Sequence, residues 1–142
     1  MLQVLPDTDD SAANRAAVEL HGALVGAGLA VRTVAIAPGR RGGLAGVLPA
    51  VSPSRRSLAA LGELRRESRW ADVVLFHGTR SLPPFAGMLR RGPRAVLLLD
   101  GEERPPRSLA RLRRSGALRE VPARERPSAA EGWVDLLVDA AP

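Results

Sequence analysis

The chain has 142 residues, 45% of them hydrophobic, and a formal net charge of +6 whose basic side is 21 arginines and no lysine. That length makes one ordinary domain with a real core, the composition excludes a disordered chain, and the absence of cysteine excludes disulfides, thiolate metal sites and a cysteine nucleophile. No apolar run approaches the roughly 20 residues of a membrane span; Met1–Leu5 has no basic region ahead of an apolar one, so a cytoplasmic protein without a signal peptide is expected.

Leu2–Leu5 reads as a short first strand, and Pro6–Ser11 as a loop that ends in good helix N-cap residues. Ala13, Ala17, Leu20, Leu24 and Val25 recur at helical spacing and predict a helix over Ala12–Val25, ended by Gly26 and Gly28. Ala30–Ala37 is a β-branched buried strand, Pro38–Gly43 a flexible loop, and Val47–Val51 a short third strand. Ser52-Pro53-Ser54 opens a helix that faces inward through Leu58, Leu61 and Leu64. Asp72–Phe76, dense in bulky apolar side chains, is a strand buried on both faces; it stops at the polar cluster His77–Ser81. A helix from about Pro84 to Arg91, a buried strand Arg94–Leu99, a loop Asp100–Pro106 and a short helix Ser108–Arg114 follow. Leu118–Val121 is a weak strand, and Pro127-Ser128 precedes a last helix carrying Trp133, Leu136, Leu137 and Val138. Strands that alternate with helices in this way imply right-handed crossovers. The expected fold is a single α/β domain over residues 1–142, a Rossmann-like, doubly wound parallel sheet with helices on both faces.

Eight of the 21 arginines fall in the pairs Arg55-Arg56, Arg65-Arg66, Arg90-Arg91 and Arg113-Arg114, on predicted helix surfaces. They read as solvated faces. With two Phe, two Trp and no Tyr there is little to stack on bases, so no nucleic-acid partner is expected. Peripheral contact with an anionic membrane surface is compatible with the same charges.

In a doubly wound sheet, ligands sit beyond the carboxyl ends of the strands where the order reverses. The Leu2–Leu5 and Asp72–Phe76 strands are expected to be neighbours there, so the loops Pro6–Ser11 and His77–Ser81 face one another, with Asp100–Glu103 alongside. His77 fits either a base or hydroxyl partner or a strand-end histidine bonded to the backbone. Asp7, Asp9 and Asp10 read first as helix-capping acids. Holding a metal with Asp100 is the other reading, as in receiver domains, but a receiver needs an aspartate where His77 stands and a lysine near Asp100. No glycine lies between Met1 and His21, which excludes a dinucleotide fingerprint or P-loop at the first turn. Gly39, Gly42, Gly43 and Gly46 follow the second strand and predict a mobile loop rather than a phosphate cradle. Arg80 suits an anionic ligand or solvent equally. Ser81 and Ser108 have no histidine partner in sequence, so no hydrolase triad is supported. No metal and no cofactor is expected.

Three stretches, Val31–Gly39, Ser52–Leu61 and Ala71–Pro83, in order and compatibly spaced within Leu2–Leu99, resemble the N-terminal half of retaining glycosyltransferases of the family-4 type in the GT-B group. In that family two Rossmann-like domains face each other, the first holding mainly the acceptor and the second the nucleotide sugar. The resemblance implies that His77 and Gly78 fall at the strand end facing the cleft and that Thr79, Arg80 and Ser81 border a sugar or lipid-linked acceptor; Asp9, Asp10 and Asp100, across the crevice, are further candidates for the same site. It also implies a truncated or split enzyme, lacking the C-terminal donor-binding domain, inactive alone and dependent on a donor-binding domain or subunit for hexosyl transfer. The loop Asp9–Arg15 departs from the glycine-containing loop usual in the family. A non-catalytic Rossmann-like interaction module, docking through an apolar crevice face, is the second reading.

Overall fold

Three consecutive parallel strands can be hydrophobic throughout only if both of their faces are covered. The computed structural model, which describes residues 1–40, 43–54, 58–83, 86, 93–101 and 103–141, has that arrangement. Strands β1 (Leu2–Leu5), β2 (Arg32–Ala35), β3 (Val73–His77), β4 (Arg94–Leu99) and β5 (Leu118–Pro122) form one parallel sheet in the order β2-β1-β3-β4-β5. β1 is buried at every position and β4 at all but its first residue, whereas β5, at the sheet edge, buries only Leu118 and Val121.

Helices α1 (Ala12–Gly26), α2 (Leu58–Glu67), α3 (Ala110–Arg114) and α4 (Ala130–Ala140) divide between the faces. Ala60 and Leu64 of α2 and Leu112 of α3 pack on Leu2, Val4, Val74, Phe76 and Leu97. Leu24 of α1 and Trp133, Leu136 and Leu137 of α4 pack on Val73, Leu75, Val96 and Leu98 from the other side. The alternation of side chains along each strand produces the two cores. The doubly wound Rossmann-like reading holds.

Details depart from expectation for local reasons. α1 is capped by Ser11, whose Oγ accepts from Asn14 N at 3.1 Å. Its buried stripe is Asn14, Ala17 and Leu24, while Ala13 and Val25 are exposed. The left-handed residue that ends the helix is Gly28 (φ 89°); Gly26 is still helical. The expected third strand at Val47–Val51 reduces to an isolated parallel bridge between Ala50 and Ala35, held by Ala35 N→Pro49 O and Val51 N→Ala35 O at 2.9 Å. Prolines at 49 and 53 lack the N–H needed to extend it. Counting that remnant as a strand, the order becomes 3-2-1-4-5-6, that of dinucleotide-binding doubly wound folds. The expected Ser108–Arg114 helix is a 3₁₀ turn, Arg107–Leu109, that runs into α3. Leu61 and Leu64 face inward as expected. The helix expected from Pro84 to Arg91 lies, apart from Ala86, outside the described residues, as do Arg55-Arg56 and Arg90-Arg91. Arg65, Arg66, Arg113 and Arg114 are exposed.

Candidate functional site at the β1/β3 crossover

β1 and β3 pair side by side in parallel register, Leu2 with Val74 and Val4 with Phe76. After β1 the chain passes to α1 on one face; after β3, Leu82 and Ala86 join the core on the opposite face. The two connections diverge and leave a crevice between them, as the switch-point rule requires. A cleft of about 540 Å³ lies there, lined by residues that include Asp7, Asp9, His77, Gly78, Arg80 and Asp100. Ala13, Ala16, Ala17 and Leu20 of α1, with Leu98 and Trp133, make its apolar side.

The first loop is held by a residue that composition does not single out. Asn14 is 1% exposed, and its Nδ2 donates to Asp7 O (3.1 Å), Asp7 Oδ1 (3.1 Å) and Asp9 O (2.8 Å). Asp7 Oδ1 also accepts from Asp9 N at 3.2 Å, an Asx turn. Capping by the aspartates is therefore corrected: Ser11 caps the helix, Asp7 builds the turn, and Asp10 pairs at the surface with Arg15 (3.1 Å). Among the described residues no three His, Asp or Glu side chains are grouped to hold a metal ion.

The glycine-dense segment is also corrected. Gly39 N donates to Thr8 Oγ1 at 2.8 Å and Leu44 N to Thr8 O at 2.9 Å. A Cβ on Gly39 would fall on the Asp9 backbone, and one on Gly43 would meet Asp10 Cβ. Gly39 and Gly43 thus serve the close approach of two backbones rather than mobility. A second cleft of about 600 Å³, lined by Pro38, Gly39, Arg40, Ser54 and others, shares Asp7, Asp9 and Arg80 with the first.

His77 ends β3 half-buried, with Nε2 2.7 Å from Gln3 Oε1. Gln3 is wholly buried, and its own Nε2 has no partner among the described residues. With the carboxamide oxygen as acceptor, Nε2 of His77 carries the proton and Nδ1 keeps its lone pair. Burial first, then the Arg126 guanidinium, lower the His77 pKa to about 4, against a smaller raising effect of Asp100. The imidazole is therefore neutral at pH 7. Because the folded pKa lies below the unfolded value, the unfolded chain binds more protons between pH 6.5 and about 4. The stability that His77 contributes is complete above pH 6.5 and is lost as pH falls toward 4. Melting temperature measured across that window should fall with acid in the native chain, and His77→Gln should flatten the slope.

The second wall is set by Glu103. Its Oε2 accepts from Thr79 N and Asp100 N, each at 3.2 Å, and its Oε1 from Thr79 Oγ1 at 2.9 Å, tying the loop after β3 to the loop after β4. Gly78 sits between them at φ 77°, ψ 164°. Arg126, far off in sequence, donates to Asp100 Oδ1 at 2.6 Å and lines the cleft. Arg80 reaches Asp7 Oδ2 at 3.7 Å.

Of the residues expected at the site, His77, Gly78, Arg80, Asp9 and Asp100 line the cleft. Ser81 is fully buried and its Oγ donates to Gly78 O (2.8 Å); Thr79 is engaged by Glu103; Asp10 faces solvent with Arg15. Asn14, Gln3, Glu103, Arg126 and Trp133 were not singled out by sequence. Gln3 and Asn14 had a legible signal, each being polar at a position whose neighbours or period are apolar.

No family model, no curated protein and no solved structure matches this chain. No described helix is long and apolar enough to cross a membrane. Of the large exposed hydrophobics, Val25 and Val138 sit late in α1 and α4, and Trp70 lies just before β3. In a parallel sheet those positions belong to the amino edge, opposite the crevice. The apolar docking face expected at the crevice therefore draws no support from them.

Proposed function

We propose that this chain is the acceptor-binding half of a retaining hexosyltransferase of the family-4 GT-B type, working in the cytoplasm against a donor-binding domain or subunit. The observation that supports this most is a neutral His77, fixed by Gln3, at the mouth of the β1/β3 cleft with Asp7, Asp9 and Asp100 on its other sides. Carboxylates and a neutral imidazole are the groups that bind sugar hydroxyls. In the transfer, the bond from the anomeric carbon to the diphosphate oxygen breaks and one to the acceptor oxygen forms. The acceptor's proton leaves with the diphosphate.

Two things are needed: an acceptor hydroxyl in near-attack geometry, and neutralisation of the leaving diphosphate. This cleft suits the first. Nδ1 of His77 can accept the hydroxyl hydrogen and orient its lone pair. The cleft does not suit the second, since among its described lining residues Asp7, Asp9, Asp100 and Glu103 outnumber Arg80 and Arg126, and both arginines already face aspartates. The diphosphate must be gripped by the other domain.

The test is transfer from a nucleotide hexose by the chain alone and by the chain joined to a family-4-type donor-binding domain. Transfer is expected only from the joined protein, and His77→Ala should lower its kcat/KM about 100-fold, a typical positioned-group effect. Transfer by the chain alone, or a joined protein indifferent to His77→Ala, would refute the reading.

A further inference from the structure

We infer that the ligand of this site is amphipathic: a small glycoside whose apolar aglycone lies along α1 and α4 and whose hydroxylated head meets the strand ends and extends past Arg80. The inference rests on the acceptor-site reading for the ligand's role, and on the two clefts for its chemistry. Their volumes, about 540 and 600 Å³, each fall in the usual range for small-ligand sites of about 300–1,000 Å³. They share Asp7, Asp9 and Arg80 as lining, so the two clefts adjoin and a ligand in the first that extends past Arg80 would reach the second. The Arg80–Asp7 pair between them is long, at 3.7 Å, and Arg80 is 67% exposed. Such an exposed pair contributes little by itself.

The linings differ sharply. Ala13, Ala16, Ala17 and Leu20 lie at i, i+3, i+4 and i+7 along the first cleft; Ala17 is buried against Leu5 and Leu48 and Leu20 packs on the cluster of Leu98 and Trp133, so Ala13 and Ala16 carry the apolar surface open to a ligand. Ala13 and Ala16 are exposed there, an apolar helix face left to water at its polar end. Among its described lining residues the second cleft has Asp7, Asp9, Arg40, Ser54 and Arg80, with Ala37 and two prolines as the apolar ones. A bare sugar would leave the helical wall wet. A bare hydrocarbon would strip water from carboxylates and guanidinium groups without replacing their hydrogen bonds. A molecule with one end of each kind satisfies both parts.

The two tryptophans give the experiment. Trp70→Phe removes the one outside the cleft and leaves Trp133 as sole reporter. The Trp70→Phe protein is titrated with hexyl β-D-glucoside below its micelle concentration, methyl β-D-glucoside and hexanol, following Trp133 emission. Hexyl glucoside is expected to saturate with a Kd at least tenfold below either half-molecule. Ala13→Glu and, independently, Ala16→Glu, both at exposed positions, should each weaken it about tenfold with an unchanged circular dichroism spectrum. Hexyl and methyl glucoside binding equally well, or either substitution leaving the hexyl glucoside Kd unaltered, would overturn the inference. Tight hexyl glucoside binding without transfer by the joined two-domain protein would overturn the transferase reading alone. Transfer that is equally efficient to methyl and hexyl glucoside would overturn amphipathy alone.

Discussion

Asn14→Asp should destabilise the protein by about 3 kcal/mol at pH 7, on the order of 10 °C in Tm, and should recover part of that loss as the pH approaches 4. The substitution keeps shape and volume and exchanges an N–H₂ donor for a carboxylate oxygen. At this place three acceptors, the carbonyls of Asp7 and Asp9 and the Asp7 carboxylate, converge on one buried amide. An oxygen there pairs with none of them and adds like charge to Asp7. Acid protonates the new carboxyl and restores one donor, hence the partial recovery. Since His77 makes the native chain lose stability over the same range, the readout is the difference between variant and native Tm at each pH. Asn14→Ala, which leaves the acceptors unpaired without repulsion, should lose less than Asp at pH 7 and show no recovery. A pH-independent deficit common to both variants would show that Asn14 only fills space.

Gly78→Ala is the second large effect, about 3 kcal/mol in stability together with loss of ligand binding at the cleft. The φ 77°, ψ 164° conformation is one that side-chain-bearing residues scarcely adopt. A Cβ there would make ordinary contact, 3.4 Å from Glu103 Oε2 and 3.5 Å from Asp100 Oδ2, so the cost lies in the backbone conformation. Relief of strain moves the backbone that positions both His77 and Thr79. Gly101, at φ 52° with open space around its missing Cβ, is the control. Gly101→Asn places a residue that tolerates the left-handed region and should cost under about 1 kcal/mol. Denaturant midpoints for the two variants, read beside hexyl glucoside titration, separate a specific demand at Gly78 from a general dislike of substitution in these loops.

The sheet was legible because its strands are short apolar runs punctuated by Gly, Pro and polar clusters, and because β-α alternation leaves few topologies open. The crevice followed from that order: placing β1 against β3 brings Asp9, His77 and Asp100 together. What sequence did not disclose depends on single hydrogen bonds or on approaches between distant segments. Asn14 looks like an interruption of a helix stripe until its three acceptors are seen. Arg126 is 26 residues from Asp100, and nothing in spacing joins them. Gly39 and Gly43 read as looseness, since a glycine needed for contact and one needed for freedom look identical in one dimension. Ser81, expected beside the acceptor, is buried, and a 3₁₀ turn after a strand leaves no periodic signature to show it. The Val47–Val51 strand failed because apolar content outvoted two prolines.

The margins of the sheet bear on how the protein behaves when concentrated. On one side Ala50 occupies the hydrogen-bonding groups of Ala35, so no incoming chain can lengthen the ladder at that point. On the other, β5 presents an exposed Arg119, a Glu120 tied to Arg113 at 3.7 Å, and a proline as its last residue. Charge and a missing N–H discourage strand addition from solvent. Edge-to-edge self-association is thereby discouraged at Ala35 on one border and along β5 on the other.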